Sequence, residues 1–134
     1  MKTYAIGDIH GAYKALVQCF ERAKFDYKQD RLIVLGDVCD GYPDVKQSID
    51  ELLKVKHCDL VIGNHDMWAL DWALRGDKPE IWTSQGGDRT MASYNGGPMP
   101  RAHRFSKERT TLDRARWSGF CARRVRPGHI AFEP

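Results

Sequence analysis

Apolar positions along the first hundred residues follow two alternating rhythms. Residues 3–7 (TYAIG), 31–36 (RLIVLG) and 59–63 (DLVIG) are short, β-branched apolar runs that each stop at a glycine, the pattern of strands buried in a helix-covered sheet. Between them, residues 12–25 (AYKALVQCFERAKF) put Leu16, Phe20 and Ala23 on one helical face. Residues 43–55 (PDVKQSIDELLKV) open with proline and gather Val45, Ile49, Leu52 and Leu53. Strand, helix, strand, helix, strand predicts an α/β fold whose parallel sheet is joined by crossover helices. Residues 65–76 predict a further helix closed by Gly76, and residues 83–97 a loop, a short helix and another glycine stop. Beyond Pro100 neither period holds for more than a few positions, so residues 101–134 receive no place in the fold.

Composition narrows the class without changing that picture. A chain of 134 residues with 42% hydrophobic and 29% charged residues suits one globular domain. No apolar run approaches the roughly 20 residues that cross a bilayer. The start, MKTYAIGDIHG, has no apolar signal core. Cys19, Cys39, Cys58 and Cys121 form no C-x-x-C pair, so reduced thiols and a cytoplasmic location are expected. The net charge of +3 conceals a division: residues 101–134 hold nine Lys/Arg against three Asp/Glu, whereas residues 1–100 hold twelve against fifteen. Residues 1–100 are therefore expected as the folded part and residues 101–134 as a poorly ordered basic tail.

The chemistry gathers where the apolar runs end. GDIHG carries Asp8 and His10, GDVCD carries Asp37 and Asp40, and GNHD carries Asn64, His65 and Asp66. In an open α/β sheet the carboxyl ends of neighbouring strands form the binding crevice, so the three clusters are expected to converge. Carboxylate and imidazole together suit a hard to borderline divalent cation, Mn, Fe, Zn or Mg, and the shortage of thiolates argues against structural zinc. Alone, His10 reads as a surface or capping histidine, and Asp8 or Asp37 as a turn carboxylate. All three clusters in order, each directly after a strand, favour a metal site.

These blocks resemble the calcineurin-like metallophosphoesterases, in particular the bacterial and phage-type protein phosphatases, which carry D-x-H, G-D-x-x-D and G-N-H-D/E in this order; the resemblance spans residues 1 to about 97. It implies that family's fold, β-sheet layers flanked by helices, here incomplete at the C-terminus. It also implies a phosphatase with two divalent ions, most readily Mn, and a metal-bound hydroxide attacking phosphorus. Asp8 and His10 would hold the first ion, Asp37 would bridge, and Asn64 would bind the second. His65 would protonate the leaving oxygen, with Asp40 fixing its tautomer. Implied substrates are phosphoproteins, dinucleoside polyphosphates or other small phosphoesters. Where eukaryotic-type members place a phosphate-gripping arginine after the second aspartate, this chain has Gly41 and Tyr42. Arg89 is a possible replacement, though a solvated surface arginine is its plainer reading. Trp68, Trp72 and Trp82 read as core rather than as a base-stacking platform.

The family's two late histidine motifs are missing. GHI at residues 128–130 imitates half of one, and His103 and His129 lack a strand-end context. A frameshift accounts for this. Read one base later, permitted codons turn residues 101–110 into EHIAFLKNA, an amphipathic helix, and residues 114–128 into ELDGRVFVHGGFDP, with FVHGG resembling the fourth motif. The tail is therefore expected to be out of frame, and the chain as written to bind metal weakly and turn over little. The competing reading is a non-catalytic nucleic-acid-binding protein whose basic tail contacts phosphates; a third is a purely structural or partner-binding domain.

Overall fold

The computed structural model describes residues 1–97. The expectations for residues 101–134, including His103, His129, the shifted frame and the basic nucleic-acid contact, lie outside the described residues.

Three strands, β1 (Thr3–Ile6), β2 (Arg31–Val34) and β3 (His57–Leu60), form a parallel sheet in the order β1-β2-β3. Register pairs Tyr4 with Leu32 and Ile6 with Val34, then Leu32 with Cys58 and Val34 with Leu60. Because strand side chains alternate, those residues share one face. Helix α1 (Tyr13–Ala23) follows β1, and α2 (Val45–Leu52) follows β2. The core joins Leu32, Val34 and Cys58 to Leu16 and Phe20 of α1 and to Val45, Ile49 and Leu52 of α2. Each fully buried leucine contributes roughly 1.5–3 kcal/mol relative to exposure. Phe20, Phe25 and Tyr27 form a ring cluster, with Phe20 stacked on Phe25 at 4.8 Å and Tyr27 edge-on to both. The opposite sheet face is more open: Ala5 is exposed, and so is Leu35 just past β2.

The chain is thus α/β, a parallel sheet flanked by helices, and three boundaries differ from the sequence reading. β3 occupies His57–Leu60 rather than residues 59–63, because its ladder is set by pairing Arg31 with His57. Val61 still donates to the Val34 carbonyl at 2.8 Å, but β2 has already turned away at Gly36, so residues 62–63 have no strand to pair with. α2 begins at Val45, two residues after the proline, and the Lys46 amide is capped by the Ser93 hydroxyl at 2.8 Å. The loop expected at the start of residues 83–97 is confined to a two-residue break. After α3 (Asn64–Arg75), which Gly76 closes in the left-handed conformation, the chain forms α4 (Glu80–Trp82) and a helical bend at Thr83–Gly87. That bend is kinked at Gln85 and Gly86 and leads into α5 (Asp88–Ser93). No described helix is long and apolar enough to cross a membrane.

Candidate metal centre and its flanking imidazole

Parallel strands bring the loops after β1, β2 and β3 to the same end of the sheet, and backbone hydrogen bonds lace them together. The Asp8 and His10 amides donate to the carbonyls of Gly36 and Asp37, at 3.3 and 2.9 Å, and the Gly11 amide to Val38 at 2.9 Å. The first turn of α3 is tied in from the other side. Asp66 accepts from the Val38 and Cys39 amides (2.9 and 3.1 Å) and from its own N-cap, Gly63, at 3.1 Å. The His65 amide donates to Asp37 Oδ1 at 3.2 Å. Gly63 is required here by space, since a Cβ would run into the Asp37 carboxylate.

Within this frame Asp8, His10 and Asp37 each aim one ligand-type atom into a region where all three lie within 4.8 Å of one another. His10 Nδ1 is 3.0 Å from the Cys39 carbonyl, which can only accept, so Nδ1 carries a hydrogen and Nε2 is the nitrogen left for a ligand. Two carboxylates this close repel unless a cation or proton lies between them. The donor set therefore fits a divalent ion. Asn64 is exposed at the first residue of α3, adjacent to the amide that binds Asp37. The Cys39 thiol is pushed up well above its ordinary range by burial and by the charges of Asp66, Asp40 and Asp37, so it stays protonated and offers no thiolate. Asp66 is pushed up by burial foremost, and Asp37 adds to the shift against the pull of three amide donors.

Four residues of these loops, Asp8, His10, Asp37 and Asp40, adopt positive φ of 51°, 47°, 51° and 71°. Non-glycine residues in that region carry strain of order 1 kcal/mol or more, least for Asp and Asn, and such residues cluster at functional sites.

Beside the metal-type cluster stands His65. Its Nδ1–H donates to Asp40 Oδ2 at 2.7 Å, and its ring meets those of His10 (5.0 Å) and Trp68 (5.3 Å) edge-to-face. Asp40 is fully buried and accepts two more bonds, from Trp82 Nε1 to Oδ2 at 2.8 Å and from the Thr90 hydroxyl to Oδ1 at 2.6 Å. The structure thus brings Asp8, His10 and Asp37 together and pairs His65 with Asp40. Arg89 is exposed, with Asp88 Oδ2 3.9 Å from its Nε. The place after Asp40 is held by Gly41 at φ 77°, where a Cβ would lie 3.1 Å from that of His10. Trp72 and Trp82 are buried, 5.8 Å apart ring to ring. Trp68 is only half-buried and also lines a cleft of about 550 Å³ with Asp71, Asp77, Lys78 and Pro79.

The sequence reading gave no role at the site to Asp66, Trp82 or Thr90. Asp66 was detectable, since an acid at the third position of a helix is a capping-box signal. Trp82 reads as plain core, and nothing local marks Thr90.

Fold and site together define an α/β protein with a cation-binding type of cluster at the carboxyl end of a parallel sheet. The chain belongs to the calcineurin-like phosphoesterase family, whose profile matches residues 1–120. It is 35% identical over 85 residues to serine/threonine-protein phosphatase 1 of Salmonella typhimurium, covering 63% of this chain and 38% of that protein. It is 39% identical over 71 residues to the symmetrical bis(5'-nucleosyl)-tetraphosphatase of Pseudomonas putida, covering 52% of this chain and 25% of that one. The chain thus spans well under half the length of these relatives. The crystal structure of a cold-active protein-tyrosine phosphatase of a psychrophilic Shewanella superposes with a TM-score of 0.49 at 20% identity, over 75% of this chain and 33% of that one.

Proposed function

We propose that this chain carries the machinery of a metal-dependent phosphoester hydrolase in residues 1–97. The observation that carries the reading is the convergence of Asp8, His10 and Asp37 beside a His65 that is hydrogen-bonded to a buried Asp40. Asp8 and His10 would hold the first of two divalent ions, Asp37 would serve both, and Asn64 would hold the second through its carbonyl oxygen. Manganese is the leading candidate, with iron, zinc and magnesium of the same ligand class. When bound, the ions supply charge neutralisation at phosphorus and an activated water.

The chain's own groups do the rest. Asp40 fixes the hydrogen of His65 on Nδ1, which leaves Nε2 to hold a proton and pass it to the departing oxygen. The His10 and Trp68 rings confine the imidazole from two sides. Substrates are phosphoproteins or dinucleoside polyphosphates, the classes named for the two relatives.

Residues 101–134 as written supply none of the late histidines that the family resemblance calls for, so weak metal binding and little turnover are expected of this chain. A one-base shift in their reading frame accounts for the loss. The test compares this chain with a frame-restored version in Mn-dependent hydrolysis of p-nitrophenyl phosphate, each with and without Asp37→Asn. Hydrolysis that needs Mn, Asp37 and the restored frame supports the reading. If Asp37→Asn alters neither metal content nor hydrolysis, a structural role replaces it. Coding DNA that does not permit the shifted strings removes the frameshift.

A further inference from the structure

The kinked helical segment after α3 has no part in the proposed chemistry, yet its buried polar groups at Trp82 and Thr90 both point at Asp40. Trp82 and Thr90 are both fully buried. They approach Asp40 from 42 and 50 residues along the chain and bond different oxygens of its carboxylate. Thr90 also accepts the Asp40 amide at 2.9 Å, so one hydroxyl holds both the backbone and the side chain of that residue. A threonine hydroxyl has one hydrogen, and here it goes to Oδ1 while a lone pair takes the amide. With His65 added, the buried carboxylate has three donors, which leaves little room to rotate.

The double glycine in SQGGD makes the approach possible. A Cβ on Gly87 would lie 2.5 Å from Cδ2 and Cε2 of the Trp82 indole. One on Gly86, itself at φ 102°, would lie 2.7 Å from the Gly41 amide nitrogen. Real Cβ atoms do not come that close. Gly86 lets the bend nest against residues 40–41, and Gly87 lets the indole lie flat beneath it.

We infer that Trp82 and Thr90 are positioning residues: they lock the Asp40 carboxylate in the rotation that holds the His65 Nδ1–H, and Gly86 and Gly87 exist to admit them. Its catalytic consequence rests on the general-acid reading of His65, but the geometric claim does not, and its test needs neither metal nor turnover.

The readout is exchange of the His65 Nδ1 hydrogen with water, followed by ¹⁵N-resolved NMR on the full metal-free chain and assigned by loss of the signal in His65→Asn. The parent shows a protected Nδ1–H. Thr90→Ser keeps the hydroxyl and exchanges within about 3-fold of the parent. Thr90→Val keeps the shape, and Trp82→Phe keeps an aromatic ring; each loses a donor to Asp40. Both exchange about 10-fold faster or more, the scale of one hydrogen bond to a charged group. A packing role predicts the reverse order at position 90, with valine like the parent and serine impaired. That order overturns the inference, as does parent-like exchange in both Thr90→Val and Trp82→Phe. An unprotected Nδ1–H in the parent overturns it too. Should the general-acid reading alone fail, His65→Asn would leave hydrolysis unchanged while this exchange pattern held.

Discussion

Replacing Asp8 separates two costs that the metal-free site carries. Asp8 is exposed at φ 51°, and its carboxylate lies within 4.8 Å of that of Asp37. At that separation two like charges repel by roughly 1 kcal/mol in a water-like medium, and more where solvent is partly excluded. Asp8→Asn removes the charge and keeps a residue tolerant of positive φ, so it gains about 1 kcal/mol. Asp8→Gly removes the charge and also the backbone strain, which for an aspartate is smaller than the roughly 1–2 kcal/mol of an ordinary residue. It gives back about 0.4–1 kcal/mol through a freer unfolded chain, which roughly offsets the strain relieved and leaves a gain of about 1 kcal/mol. Asp8→Ala removes the charge but puts an intolerant residue at positive φ, and the two effects roughly cancel. In EDTA the melting temperatures should therefore run glycine at or above asparagine, then alanine near the parent. Each kcal/mol shifts Tm by about 4–8 °C in a domain of this size. Manganese should invert the ranking: at a hundred times its dissociation constant a ligand adds about 2.7 kcal/mol to a chain that binds it, and the variants have lost the charged carboxylate ligand. An Asp8→Gly chain that melts below the parent in EDTA refutes the strain argument. One that Mn stabilises as strongly as the parent refutes the ligand assignment.

The remaining predictions concern neighbours of Asp8. In the frame-restored, Mn-loaded protein, His65→Asn should lower kcat on an alkyl phosphate by roughly 10²-fold or more and on p-nitrophenyl phosphate far less, because only the poor leaving group needs a proton; equal losses on both would remove the general-acid role. Asp66 has a raised pKa in the fold, so its contribution to stability is full below its unfolded value and lost as pH rises through the folded one. The Tm difference between Asp66→Asn and the parent should therefore become more positive from pH 3.5 to pH 7, and a difference that falls over that range contradicts the sign. Gly63→Ala, whose methyl meets the Asp37 carboxylate, should cost about 1–3 kcal/mol as an overpacked contact and weaken Mn binding measured by calorimetry; unchanged Mn affinity would show that Asp37 has room to move.

What the sequence made legible was local. Apolar runs ending at glycine located all three strands, because a buried parallel strand needs both an apolar run and a sharp exit. The same exits carried Asp8, His10, Asp37 and His65. The tie of Asp66 to the Val38 and Cys39 amides joins two loops across 27 and 28 residues, and no spacing rule predicts which amide a capping acid will reach. Trp82 was legible as core, but its indole N–H had to find a buried acceptor, and that acceptor proved to be the acid beside the site. Thr90 was the least visible, being a single hydroxyl on a short helix whose partner is 50 residues away. The bounds of β3 shifted because its first residue, His57, is polar and gives no apolar signal, while the apolar run continues past Leu60, where the ladder ends.

Strain and chemistry at this site share one geometric origin. A parallel sheet must send each strand's exit loop back across its end, and here the β1 and β2 loops reverse within a few residues of Ile6 and Val34. Such reversals require left-handed residues, for which glycine is the cheapest choice. Gly11, Gly36 and Gly41 fill some of those positions. Asp8, His10, Asp37 and Asp40 fill the others, where glycine would have been easier on the backbone and could hold neither a cation nor an imidazole. A chain selected for stability alone would have put glycine at all of them. The cost of the four side chains is balanced partly within the fold, by the amide lacing among residues 8–11, 36–39 and 63–66. The balance left between Asp8 and Asp37 is the part that a bound divalent ion would remove, and such an ion would couple metal binding to folding stability.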